Sequence, residues 1–205
     1  MGFFALGFVG LAIPWSSPFF VMLTPLAVVG VLAILIIGHD SPMNWQFYVS
    51  LGIVFALSYV VELLKVNVFF PPSVYFYGDS FGPLLFEIPL IIGLAWVALL
   101  YICAAMAERL KVNVVMKVLV ASGLMVLFDA ALELVAHGLD FWYWIYGASM
   151  WNYLMWFVAS VLMFTIMKLL GVCIKNKVTT TMYVSMIVFL FHLVKLSFQY
   201  QYCFY

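Results

Sequence analysis

Apolar runs long enough to cross a bilayer follow one another along almost all of this 205-residue chain, and few architectures accommodate them. A hydrocarbon core about 30 Å thick takes about 20 helical residues to cross. Glycines, prolines and charge clusters divide the sequence into seven apolar segments, at 3–13, 18–37, 45–66, 83–107, 113–136, 149–171 and 179–199. The expected fold class is all-α, a polytopic transmembrane helix bundle of six to seven spans in a single integral membrane domain over 1–205. The seventh span is in question because segment 3–13 is short and stops at Ile13-Pro14-Trp15-Ser16-Ser17-Pro18, which leaves it tilted, re-entrant or part of a longer span. It lacks the basic region and small-residue cleavage site of a signal peptide.

Composition agrees: hydrophobic residues make up 68% and charged residues 8%, with a mean hydropathy of +1.22, whereas a soluble domain has about a quarter of its residues charged. The 8 basic and 8 acidic residues balance, so no basic surface invites nucleic acid. Cys103, Cys173 and Cys203 are far apart, with no CxxC and no histidine at ligand spacing, so neither a zinc site nor a disulfide framework is expected.

Cations fix an expected orientation. Arg109, Lys111 and Lys117 surround one connection and Lys168, Lys175 and Lys177 another on the same side, which the positive-inside rule makes cytoplasmic. Glu62, Glu87, Asp129, Glu133 and Asp140, with Asp79, fall toward the opposite end, where Lys65 is the available cation apart from the terminal Lys195. The connection from Asn67 to Gly82, with Pro71-Pro72 and its aromatics, reads as a structured loop over the bundle mouth.

Asp129, Glu133 and His137 are spaced i, i+4, i+8 within the run Lys117–His137, so they form one stripe expected to face the bundle interior. A charged residue at the bilayer midplane costs about 2.5–3.5 kcal/mol on insertion scales, so such acids pair, line a cavity or do chemistry. Aromatics make up 19% of the chain. Most suit an interfacial belt, but Asn152 between Trp151 and Trp156 does not belong to a belt and suits a site that positions water or a hydroxyl. Aromatic faces also stabilise a desolvated cation by about 2 kcal/mol or more each.

Several motifs in order carry a resemblance. Leu23-Thr24-Pro25-Leu26, Glu62, Pro71-Pro-Ser-Val-Tyr75-Phe-Tyr77, Phe81-Gly82-Pro83, Ile88-Pro89 leading to Trp96, Phe128-Asp129 with Glu133, Trp142 to Trp144, and Asn152-Tyr153-Leu-Met-Trp156 together resemble the carotenoid biosynthesis membrane-protein family that includes carotenoid 1,2-hydratases of the bacterioruberin and γ-carotene types. The resemblance runs from about residue 10 to 170. It departs from the family pattern at Val68-Phe69 and at Glu133-Leu134, which bears on the exact substrate.

The resemblance implies an enzyme of carotenoid biosynthesis in a membrane, with the bacterial inner membrane as the expected location. Its partners would be a lipophilic carotenoid, the bilayer and other membrane enzymes of the pathway. The chemistry implied is hydration of a terminal double bond, by protonation to a tertiary cation and capture of water, which requires neither cofactor nor metal. Asp129, Glu133 and Glu62 are then the catalytic candidates, with Asp129 as proton donor and Glu133 or Glu62 activating water. Tyr75, Tyr77, Trp96, Trp144, Asn152 and Trp156 are the substrate-binding candidates. Two other classes use intramembrane acids: a lycopene-type cyclase that lets the same cation close on an internal alkene, and a proton or small-molecule transporter.

Overall fold

The computed structural model describes residues 2–68 and 74–201, so Pro71-Pro72 within the expected structured loop, and Cys203, lie outside the described residues. In chain order the elements are α1 (Gly2–Ala12), α2 (Ser17–Met22), α3 (Thr24–Ile37), α4 (Trp45–Asn67), β1 (Tyr75–Tyr77), β2 (Leu84–Leu85), β3 (Ile88–Pro89), α5 (Ile91–Glu108), α6 (Val114–Ala136), β4 (Trp142–Trp144), α7 (Met150–Leu169) and α8 (Thr179–Gln201). Helices dominate because each satisfies its backbone polar groups internally, which a surrounding lipid cannot do.

Among the described residues α4, α5, α6 and α7 are long and apolar enough to cross a membrane, and α3 and the Thr179–Lys195 stretch of α8 are shorter apolar helices. The protein is therefore a helical membrane protein with four full-length candidate spans among the described residues. Segment 18–37 is broken at Leu23, where α2 ends and Pro25 opens α3 in the first turn, a position that tolerates a missing N–H. The expected start of the fourth segment at 83 is also corrected. Residues 84–89 form a small hairpin with Phe86 and Glu87 at its turn, both with positive φ (52° and 63°), as a two-residue I′ turn requires, and α5 begins only at Ile91. Tyr59 pins the hairpin to α4 by donating to the carbonyls of Leu85 (2.6 Å) and Ile88 (3.1 Å).

Local chemistry sets the other helix starts. Asn44, Asn113 and Ser149 each accept a backbone N–H of the first turn, capping α4, α6 and α7. Helix α5 is the centre of the bundle: its buried residues run from Ile92 to Ala107 on every face, the mark of a helix surrounded by others. It packs against α3, α4, α6 and α8. Gly93 makes one of these approaches possible, since a Cβ there would stand 2.5 Å from the Phe55 ring of α4.

The two ends differ in chemistry, as the charge pattern predicts. At the basic end Glu108 bridges Lys117 of α6 (2.8 Å) and Lys168 of α7, and Arg109 donates to Thr180 Oγ1 (2.7 Å) and to the Asn176 carbonyl. At the acidic end β1 and β4 pair antiparallel across 67 residues of sequence, with Tyr75 opposite Trp144, Phe76 opposite Tyr143 and Tyr77 opposite Trp142. The turns beside this ribbon are locked by Asp140, which accepts the Asp79 N–H (3.0 Å), the Ser80 hydroxyl (3.2 Å) and the Tyr143 hydroxyl (2.6 Å). Gly78 has to lack a side chain, because a Cβ would stand 2.3 Å from the Asp140 carbonyl.

Candidate functional site

The ribbon roofs a cavity of about 420 Å³ whose walls come from α1 to α8. A volume of this size falls in the range of small-molecule sites. Its lining includes all the catalytic and substrate-binding candidates, Glu62, Tyr75, Tyr77, Trp96, Asp129, Glu133, Trp144, Asn152 and Trp156. They come from α4, β1, α5, α6, β4 and α7, so the bundle brings together residues up to 94 positions apart.

Strand periodicity builds the roof. On each strand alternate side chains point the same way, so Tyr75 and Tyr77 face the cavity while Phe76 turns out and stacks on Tyr143, ring centroids 5.3 Å apart. From the opposite strand Trp142 and Trp144 also face inward. These four aromatics each donate to a carboxylate. Tyr75 and Tyr77 donate to Glu62 Oε2, the latter at 2.9 Å. Trp142 Nε1 lies 3.2 Å from both oxygens of Glu133, and Trp144 Nε1 donates to its Oε1. Removal from water and then the neighbouring Glu62 charge push the Tyr75 and Tyr77 hydroxyls well above their usual range, so both remain donors.

The three acids are therefore in different situations. Glu62, 1% exposed, forms a buried ion pair with Lys65 at 3.3 Å in addition to its two tyrosines. Lys65 Nζ also lies 4.9 Å from the centre of the Tyr75 ring. Glu133 is held by two indoles and is in no salt bridge among the described residues. Asp129, also 1% exposed, has one side-chain hydrogen bond among the described residues, from Asn152 Nδ2 at 2.9 Å. The amide oxygen of Asn152 is buried and without a partner among the described residues. Below them the Trp96 and Trp156 rings stack with centroids 4.1 Å apart.

The predicted stripe on α6 is only partly realised. Asp129 and Glu133 face the cavity, but His137 caps the helix, is exposed, and lies edge-on to Tyr143 at 4.8 Å. His137 still has helical dihedrals, but at 3.6 residues per turn an i, i+8 pair stands about 80° apart around the axis, so residue 137 turns away from the cavity face. Lys65, the cation that the sequence makes available three residues after Glu62, does pair with it. The contribution of Leu6, Gly7 and Leu11 from α1 to the cavity had no signal in the sequence. Among the described residues no group of three or more His, Cys, Asp or Glu side chains is disposed to hold a metal ion.

A helical membrane protein with aromatic walls around buried carboxylates is the class that the fold and cavity define. The sequence matches the carotenoid biosynthesis protein family over residues 20–202, and the chain belongs to that family. Its role is in carotenoid biosynthesis. No curated protein and no solved structure matches the chain.

Proposed function

We propose that the protein hydrates the terminal double bond of an acyclic carotenoid end group. The observation that carries this reading is the pairing of Asp129 with Asn152 inside an aromatic, largely apolar cavity. An alkene is a weak base, and its protonation calls for a carboxylic acid held out of water with no competing cation beside it. Asp129 meets that description better than Glu62, which Lys65 and two tyrosines already occupy. Asn152 takes up Oδ2 of Asp129, so a proton carried by this carboxyl belongs on Oδ1, free to be donated.

The steps balance without an external redox partner. The Asp129 O–H bond breaks as a C–H bond forms at the terminal double bond, leaving a tertiary cation. Water adds through oxygen, and Glu133 takes the proton that water loses. Return of that proton to Asp129 restores the starting state, and the net change is alkene plus water to tertiary alcohol. The faces of Trp96, Trp156, Tyr75 and Trp144 would stabilise the cation. In this reading Glu62 is the anchor that fixes β1.

The test is expression in cells that accumulate an acyclic carotenoid, followed by mass spectrometry. The expected product is heavier by one water. A product of unchanged mass with an altered chromophore would replace hydration by cyclisation through the same cation.

A further inference from the structure

The cavity has two chemically different ends. The carboxylates of Glu62, Asp129 and Glu133 gather under the ribbon, whereas the walls from α1, α2, α3 and α8 are apolar. Thr24 is the one hydroxyl on those walls among the described residues, and it donates to the Val21 carbonyl at 2.6 Å. Two residues of the apolar walls also belong to the outer surface, Leu6 at 65% exposure and Leu26 at 66%. The cavity wall therefore borders the outer surface at Leu6 of α1 and Leu26 of α3. Among the described residues α1 packs against α2 and α8, and α3 chiefly against α5. No ionisable side chain occurs from residue 2 to 38. The surface there is thus suited to lipid tails and not to water.

We propose that the substrate entrance lies here: a long hydrocarbon chain passes sideways from the bilayer between α1 and α3, presents its end to Asp129, and leaves the adjoining part of its length against α1, α3 and α8. The proposal rests on the carotenoid reading of the cavity and adds the route and the part of the chain that is held. It also explains the polarity gradient, since only the reacting end of such a molecule meets polar groups. Helix α1 precedes the residues that match the family, so this wall comes from a stretch the match does not cover.

The test narrows and then widens the passage. Ala27 lines it on α3, and Ala27→Phe adds a ring there; Leu6→Ala removes bulk on the facing helix. The readout is retention of a long acyclic polyene by the purified protein, measured by absorbance. A second readout is the rate on that polyene and on a ten-carbon alkene with the same terminal group. Ala27→Phe is expected to lower polyene retention and rate at least tenfold and to change the rate on the short alkene less than twofold. Adding Leu6→Ala should recover a large part of the loss. Asp129→Asn should retain the polyene as the unaltered protein does. Undiminished polyene retention in Ala27→Phe, or equal losses on the long and short substrates, would overturn the entrance. If the losses follow chain length but the product gains no water, the entrance stands and hydration fails.

Discussion

Asp129→Asn separates proton donation from packing, because the structure lets the two effects be weighed independently. The carboxyl is 1% exposed and has one side-chain hydrogen bond among the described residues, from Asn152 Nδ2. An asparagine presents an amide oxygen in the same place, so that bond survives and the stability change should stay within about 1 kcal/mol. Asp129→Leu, by contrast, leaves the Asn152 amide buried without an acceptor, at a cost of about 1–3 kcal/mol. Loss of a general acid typically lowers a rate about 10²–10⁴-fold, which is about 2.7–5.5 kcal/mol of transition-state stabilisation. An alkene with no other proton source belongs at the upper end of that range. The assay is product formed per amount of membrane-inserted protein, with thermal unfolding in detergent measured in parallel. The expected result is an Asn variant that melts with the unaltered protein and forms under 1% of its product. An Asn variant keeping more than a tenth of the activity would remove Asp129 from the chemistry.

Glu62→Gln should behave in the opposite way: it strands the Lys65 ammonium in a site only 3% exposed, so stability falls by about 3–5 kcal/mol. Replacing both partners, Glu62→Gln with Lys65→Met, should recover most of that loss in the same melting assay. A long-chain tertiary ammonium that imitates the cation should bind more tightly than its neutral hydrocarbon isostere, by about 2 kcal/mol, or about 30-fold. Competition assays should show Glu133→Gln losing most of that preference. Asp140 offers a pH test, because the Tyr143 hydroxyl, with the Asp79 N–H and the Ser80 hydroxyl, holds its carboxyl below the usual 3.8. A depressed carboxyl contributes stability in full above its unfolded value and loses it as pH falls through the folded one. Fluorescence of the ribbon tryptophans should therefore stay constant down to about pH 4 and change only below it, and Asp140→Asn should abolish that acid transition.

The legible parts of the structure are those that a periodicity or a charge could report. Asp129 and Glu133 share a helix face by spacing alone, and the burial of Asp129 away from lipid follows from the cost of a carboxylate there. Tyr75 and Tyr77, two apart, could be placed on one side of a strand once β1 existed, yet nothing local says that β1 pairs with β4 67 residues later. That pairing is a tertiary event, and it decides which aromatics meet the acids. The hairpin at 84–89 was hidden by hydropathy: Leu84, Leu85, Ile88 and Pro89 are as apolar as the helix that follows, and only Pro83 and Pro89 mark the interruption. His137 misled for the converse reason, since an i, i+4, i+8 series drifts by about 80° around a helix of 3.6 residues per turn.

Charge balance in the cavity ties these pieces to the proposed chemistry. Lys65 neutralises Glu62, and both are fixed by the ion pair and by the tyrosines of β1. A protonated Asp129 contributes no charge. Glu133 is then the one carboxylate facing the cavity without a salt-bridge partner among the described residues, and its indole donors stabilise the ionised form without cancelling its charge. A neutral alkene entering such a site gains little from that charge, whereas a carbocation formed from it gains a great deal in a medium of low dielectric. The same ribbon that closes the cavity thus holds one acid through its tyrosines and another through its tryptophans. Differential stabilisation of this kind lowers a barrier, because it acts on the charge that develops rather than on the substrate that binds.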